Sequence, residues 1–346
     1  MFAKRFLLTS AGLVLSQLLS SATAQTFITA WGTYGSGDGQ FDGPGGMAVD
    51  ASGSVYVADY GNHRVQKFTS TGAYVTQWGT HGSGNGQFIG PEGVAVDASG
   101  NVYVADFGNN RIQKFTGTGA YLTQWGTFGT GAGQFNSPLG VAVDASGNVY
   151  VADNFNNRIQ KFTDTGTYLT RWGTNGSGNG QFNGPTGLAV DASGNVYVGD
   201  TGHNGIHNNR VQKFTASGVY LTQWGTEGSG DGQFAGPSFG GPWGVAVGAS
   251  GSVYAVDHGN HRVQRFTDTG SYLTQWGTQG SGSGQFLYPY SVATDAAGNV
   301  YVADLGNNRI QKFGFAPTSV QSVTWGSMKA RHRGERGATQ RAAQDK

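Results

Sequence analysis

The chain has 346 residues, a formal net charge of +1, 61 glycines, no cysteine, and 12 % each of aromatic and charged residues. That length allows one or two domains with a large core, and the lack of cysteine excludes both disulfides and a lipid anchor on an N-terminal cysteine, so stability rests on packing. The charge divides unevenly: residues 25–326 carry 13 basic and 18 acidic side chains, and residues 327–346 carry 6 and 2. A mildly acidic body argues against nucleic acid as a partner, because a phosphate backbone needs a basic face.

In chain order, the first element is an export signal. Lys4 and Arg5 precede the largely apolar run Phe6–Leu19, and Ala22-Thr23-Ala24 has the small-x-small form of a cleavage site. Residues 1–24 are therefore expected to be removed after Ala24, leaving a secreted or periplasmic protein. The apolar run is shorter than the ~20 residues that cross a bilayer, so no transmembrane anchor is expected.

From residue 25 onward one unit repeats. Tryptophan-glycine pairs stand at Trp31, Trp78, Trp125, Trp172, Trp224, Trp276 and Trp325, spaced by 47, 47, 47, 52, 52 and 49 residues. In the unit ending at Trp125, β-branched and aromatic residues mark strands at Val94–Asp97, Val102–Asp106, Arg111–Phe115 and Tyr121–Trp125. Gly, Asn, Asp and Ser fill the turns between them. No amphipathic 3.6-residue pattern appears, so helices should be nearly absent. Four strands per unit and a period in the forties predict an all-β fold, a six-bladed β-propeller of four-stranded antiparallel blades. The segment Thr26–Trp31 matches a fourth strand yet precedes the first complete unit. It is expected to complete the last blade and close the ring, with Val320–Trp325 as the competing closure. The domain plan is then a signal at 1–24, a propeller at 25–313 and a basic, solvated tail at 314–346.

The pattern Asp-x-Gly-Asn-x-Arg-[Val/Ile]-Gln-Lys-Phe at Asp59–Phe68, Asp106–Phe115 and Asp304–Phe313 resembles the NHL repeat. Asp257–Phe266 differs by one Arg for Lys, and Asp153–Phe162 and Asp200–Phe214 are variants. The resemblance covers nearly all of residues 26–313. It implies a propeller, and it implies less about function, because the family includes both binding domains and enzymes.

Residues present in every unit are expected to build the blade. The six Asp–Arg sets (Asp59/Arg64, Asp106/Arg111, Asp153/Arg158, Asp200/Arg210, Asp257/Arg262, Asp304/Arg309) predict a structural ion pair at the hairpin between second and third strands. Asp50, Asp97, Asp144, Asp191 and Asp295 predict Asx turns, and Gly248 breaks that set. The Gly-Ser-Gly-Asn-Gly stretches lead into strands rather than helices, which separates them from phosphate-binding loops.

Ligand information should lie where the units differ. Just after the proline before each first strand stand Gly45, Glu92, Leu139, Thr186, Trp243 and Tyr290. Just after each hairpin Asp stand Tyr60, Phe107, Asn154, Thr201, His258 and Leu305. Both sets belong to one face of a propeller, together with insertions within Thr201–Asn209 and Pro237–Gly241. Candidate binding residues on this face are Tyr60, Glu92, Phe107, Trp243, His258 and Tyr290. Their rings suit peptide or sugar recognition, and packing between blades accounts for them equally well. His203, His207, His258 and His261 are candidates for a metal site, against solvated loop histidines.

No complete catalytic constellation is present and no cofactor is implied. The expected function is an exported, monomeric, non-enzymatic recognition or scaffold protein binding a protein, peptide or glycan. The alternative is a metal-dependent lyase similar to NHL-fold peptidyl-hydroxyglycine amidating lyases. That resemblance implies zinc-binding histidines at the starts of inner strands, close after proline, and none of the six matching positions here is histidine.

Overall fold

The computed structural model describes residues 25–202, 207–236 and 240–315. The expected signal, the tail from residue 316, His203 and part of each insertion lie outside the described residues. Six four-stranded antiparallel sheets are arranged as the blades of a propeller. Blade 1 is representative, with strands Pro44–Val49, Val55–Asp59, Arg64–Phe68 and Tyr74–Trp78 running from the axis outward. Helix among the described residues is limited to three short 3-10 turns, at Phe107–Asn109, Asn154–Asn156 and Leu305–Asn307.

Burial follows the layering. In every blade the second strand is buried on both faces, because neighbouring blades sandwich it, whereas the outermost strand alternates or stays half-buried. Six apolar clusters fill the six junctions between blades. In one of them Phe41, Val55 and Phe68 of blade 1 pack against Tyr301, Ala303 and Ile310 of blade 6. Burying both faces of every sheet this way leaves no blade with a bare end to cap.

The N-terminal strand closes the ring. Gln25–Trp31 pairs antiparallel with Arg309–Phe315, from Gln25 opposite Phe315 to Trp31 opposite Ile310, with a bulge between Phe27 and Thr29. The Trp31 ring then bridges the first and last blades, 5.9 Å from Phe68 and 6.3 Å from Tyr301. The position open to Val320–Trp325 is thereby filled. The final strand runs two residues past the expected boundary at 313.

The first strands also begin earlier than the sequence pattern suggests, at proline, as in Pro91–Val96. Each carries a register shift after that proline, where the innermost backbones crowd around the axis. A Cβ on Gly140 would collide with the Thr186 carbonyl of the next blade, so this close approach requires glycine.

The repeated polar residues form one network per blade. In blade 2 the Arg111 Nε donates to Asp106 at 2.7 Å, and its terminal nitrogens donate to the carbonyls of Ser83, Gly84 and Gln87. Gln113 adds donors to Gln87 and Asp106. The Gly-Ser-Gly-Asn-Gly loop therefore turns its carbonyls inward around a guanidinium. A phosphate loop would present N–H groups instead. This network pins each crossing loop to its blade and fixes the face on which the variable residues stand.

Candidate functional site

One variable residue from each blade surrounds the axis at the mouth where the hairpins and crossing loops lie. A cavity of about 60 Å³ is lined there by Glu92, Leu139, Thr186, Trp243 and Tyr290, with the glycine backbones of the inner strands below them. That volume holds a few water molecules or one small polar head group. Blade 1 contributes Gly45, whose missing side chain leaves room for its neighbours. A Cβ there would lie 3.3 Å from a Glu92 carboxylate oxygen. Across that gap Glu92 of blade 2 faces the Tyr290 hydroxyl of blade 6.

Glu92 has no ionic partner among the described residues. It keeps a little surface toward the axial cavity but is otherwise surrounded by protein. Burial disfavours the charged form and pushes its carboxyl up to about 7, with the Tyr290 hydroxyl offsetting part of the effect. The same burial and the nearby carboxylate hold Tyr290 far above the ordinary tyrosine range. Tyr60, exposed on blade 1, lies against Gly90 close to Glu92 and is also shifted upward.

From Tyr290 a row of rings runs outward across the junction of blades 5 and 6. Trp243 stands 5.1 Å from Tyr290 and 5.3 Å from His258; His258 stands 5.3 Å from Tyr288, and Tyr288 stands 4.7 Å from His261. These separations are typical of interacting aromatic pairs. His258 is buried, and its Nδ1 donates to the Pro289 carbonyl at 3.0 Å. Burial pushes the imidazole down to about 4, so it is neutral at physiological pH. His261 occupies a repeat position of positive φ shared with His63, Asn110, Asn157, Asn209 and Asn308. Its Nδ1 accepts the Tyr288 N–H at 3.0 Å, as the Asn110 side chain accepts Ser137 N–H in blade 2.

Five of the six candidate binding residues thus surround one site: Tyr60, Glu92, Trp243, His258 and Tyr290. Phe107 stands apart, half-buried at the start of its 3-10 turn, with no ring contact to the row among the described residues. Of the histidines, His258 and His261 share the row and each commits one ring nitrogen to backbone. His207 is half-buried at the edge of the blade 4 insertion.

Sequence reasoning missed Tyr288. It holds a position that is Gly43, Gly90, Gly184 and Gly241 in four other blades, and it keeps the left-handed backbone at φ 50° despite its bulk. A ring in that conformation is strained. The signal was the break in the glycine column.

A family model described as NHL repeat matches residues 41–68, 88–115, 135–162, 182–214, 239–266 and 286–313. No curated protein matches the chain by sequence. Among solved structures, a gluconolactonase from Xanthomonas campestris aligns at 15 % identity and TM-score 0.59, over 81 % of this chain and 88 % of that one. Virginiamycin B lyase from Staphylococcus aureus aligns at 16 % and 0.54, over 82 % and 86 %. A chain of a nidogen/laminin complex aligns at 19 % and 0.53, over 75 % and 84 %. At such identities these likenesses show a shared fold, which two enzymes and a protein-binding assembly all use.

Proposed function

This chain belongs to the NHL-repeat family, and on that premise we propose that it is an exported, monomeric, non-enzymatic recognition protein. It binds a peptide or protein through the axial mouth and the aromatic row of blades 5 and 6. The observation that carries the reading is the half-buried Glu92 at the inner end of that row, which has the Tyr290 hydroxyl beside it and no ionic partner among the described residues. A cation seated there gains both the carboxylate and the faces of neighbouring rings. A carboxylate with aromatic walls in a cavity this small suits the head of a basic side chain, while the rings outside support the rest of an extended peptide. The surrounding blade is rigid, so the site is organised before a ligand arrives. Cleavage after Ala24 delivers this body outside the cytoplasm.

The test is a screen of the purified full-length chain against immobilised basic, neutral and acidic peptides, with a glycan array in parallel. Basic peptides should be retained, and E92Q and W243A should each weaken retention at least tenfold. Retention of acidic peptides, or basic binders indifferent to both substitutions, would remove the proposal. A glycan lost in W243A and unaffected in E92Q would replace the peptide with a sugar.

A further inference from the structure

On the opposite end of the blades, the turn between first and second strands shows what one blade lacks. In blade 2, Asp97 Oδ1 accepts the N–H groups of Ser99 and Asn101, both at 2.9 Å. Its Oδ2 accepts the Asn101 side chain at 2.8 Å and the Tyr103 hydroxyl at 3.0 Å. A third-strand lysine lies alongside: Lys114 sits 5.0 Å from the Tyr103 ring centre, and in blade 3 Lys161 is 3.9 Å from Asp144. Asp50, Asp191 and Asp295 repeat the arrangement.

Blade 5 has Gly248 in place of the aspartate and Arg265 in place of the lysine. Its turn keeps the same backbone bonds, Gly248 N–H to Ser252 at 2.9 Å and Gly251 N–H to Gly248 at 2.8 Å. The donors that the carboxylate takes elsewhere, here the N–H groups of Ser250 and Ser252 and the Tyr254 hydroxyl, have lost that acceptor. The Gln25 side chain lies near the Tyr254 hydroxyl, and the Arg265 guanidinium stands 5.9 Å from the Tyr254 ring centre.

Arg265 is 9 % exposed and has no ionic partner among the described residues. Its guanidinium donates twice to one hydroxyl, Ser252 Oγ, at 3.0 and 2.8 Å, and stacks 5.0 Å from the Phe315 ring centre. A buried charge without a counterion is costly and is normally paired. Arg265 and Ser252 line an open cavity of about 730 Å³ on the blade 4 side, within the range of ligand sites. Two carboxylates also line it, and both are engaged: Asp191 with Asn195 and Tyr197, Asp268 with Lys213.

We propose that blade 5 carries a carboxylate-binding site, in which a carboxylate from an acidic side chain or a chain terminus of a ligand takes the place of the missing aspartate. Arg265 supplies the charge and a planar pair of donors suited to a carboxylate. Ser250, Ser252 and Tyr254 supply the remaining hydrogen bonds that the other five blades show around their own carboxylates. The site is independent of the axial mouth.

The test uses the full-length chain, titrated calorimetrically with N-acetylaspartate amide, N-acetylalanine and inorganic phosphate, alongside G248D and R265M. A Cβ at Gly248 would lie 3.2 Å from the Tyr254 ring and 3.8 Å from the Ser252 carbonyl, so an aspartate needs only a small shift. Wild type should bind a carboxylate probe saturably in the millimolar range, and the preferred probe identifies side chain or terminus as the source. G248D should lose that binding at least tenfold while melting higher without any probe. R265M should lose it too, and E92Q should keep it. Unchanged binding in G248D and R265M, no carboxylate binding by wild type, or tighter binding of phosphate than of either carboxylate would overturn the assignment.

Discussion

Replacing Glu92 by glutamine should stabilise the protein, by an amount that grows from about pH 4.5 and is complete near pH 7. The Glu92 carboxyl moves from an ordinary 4.5 to about 7 on folding. At about 1.4 kcal/mol per tenfold change in ionisation, keeping it charged in the fold costs about 3 kcal/mol. Between pH 4.5 and 7 the folded chain holds a proton that the unfolded chain has released, so stability falls as pH rises through this window and levels off above it. His258 works in the opposite sense. Its imidazole moves from 6.5 to about 4, so the unfolded chain takes up a proton first and stability falls as pH drops from 6.5 to 4. The two slopes nearly cancel in the wild type. Urea denaturation of wild type and E92Q at half-unit steps from pH 4 to 8 separates them. The variant should gain about 3 kcal/mol at pH 8, near 5 °C in melting temperature for a domain of this size, and almost nothing at pH 4. It should also reveal the acid-side slope of His258. A gap that does not change with pH, or one below about 0.5 kcal/mol at pH 8, would refute the account of Glu92 as a desolvated carboxylate without a counterion among the described residues.

Substituting Arg111 by Met should cost about 3–5 kcal/mol, measured by denaturant titration, because Asp106 then remains buried without its cation and three loop carbonyls lose their donor. Trp31→Ala should cost about 3–5 kcal/mol in a chemical melt through the cavity left between the first and last blades. Its footprint in amide exchange should centre on residues 25–31 and 309–315. Gly140→Ala should destabilise by at least about 1–3 kcal/mol, because the added methyl meets the Thr186 carbonyl where neighbouring inner strands touch. A thermal scan matching wild type would show that the axis has slack.

The repeat made the architecture legible. Six copies of one unit showed strand number, turn positions and the structural use of the Asp–Arg sets, since a residue present in every blade is explained by the blade. The stranded segment Thr26–Trp31 pointed to ring closure, and its pairing with Arg309–Phe315 closes the ring. Comparing the copies also picked out Glu92, Trp243, His258 and Tyr290 as the places where a ligand face differs. The same comparison left Phe107 among them and passed over Tyr288, because a column of aligned positions says which residues share a face and not which rings meet.

The blades, their number and the strand that joins the ends can be read along the chain, because alternating burial and turn chemistry are local and repeat every 47 to 52 residues. It took the folded ring to show that Gly45 leaves a gap where Glu92 and Tyr290 face each other, and that Arg265 lies buried with no counterion among the described residues. Those facts depend on side chains brought together from different blades by the ring. Ionisation and pairing respond to what lies within a few ångströms in space, at any distance along the chain.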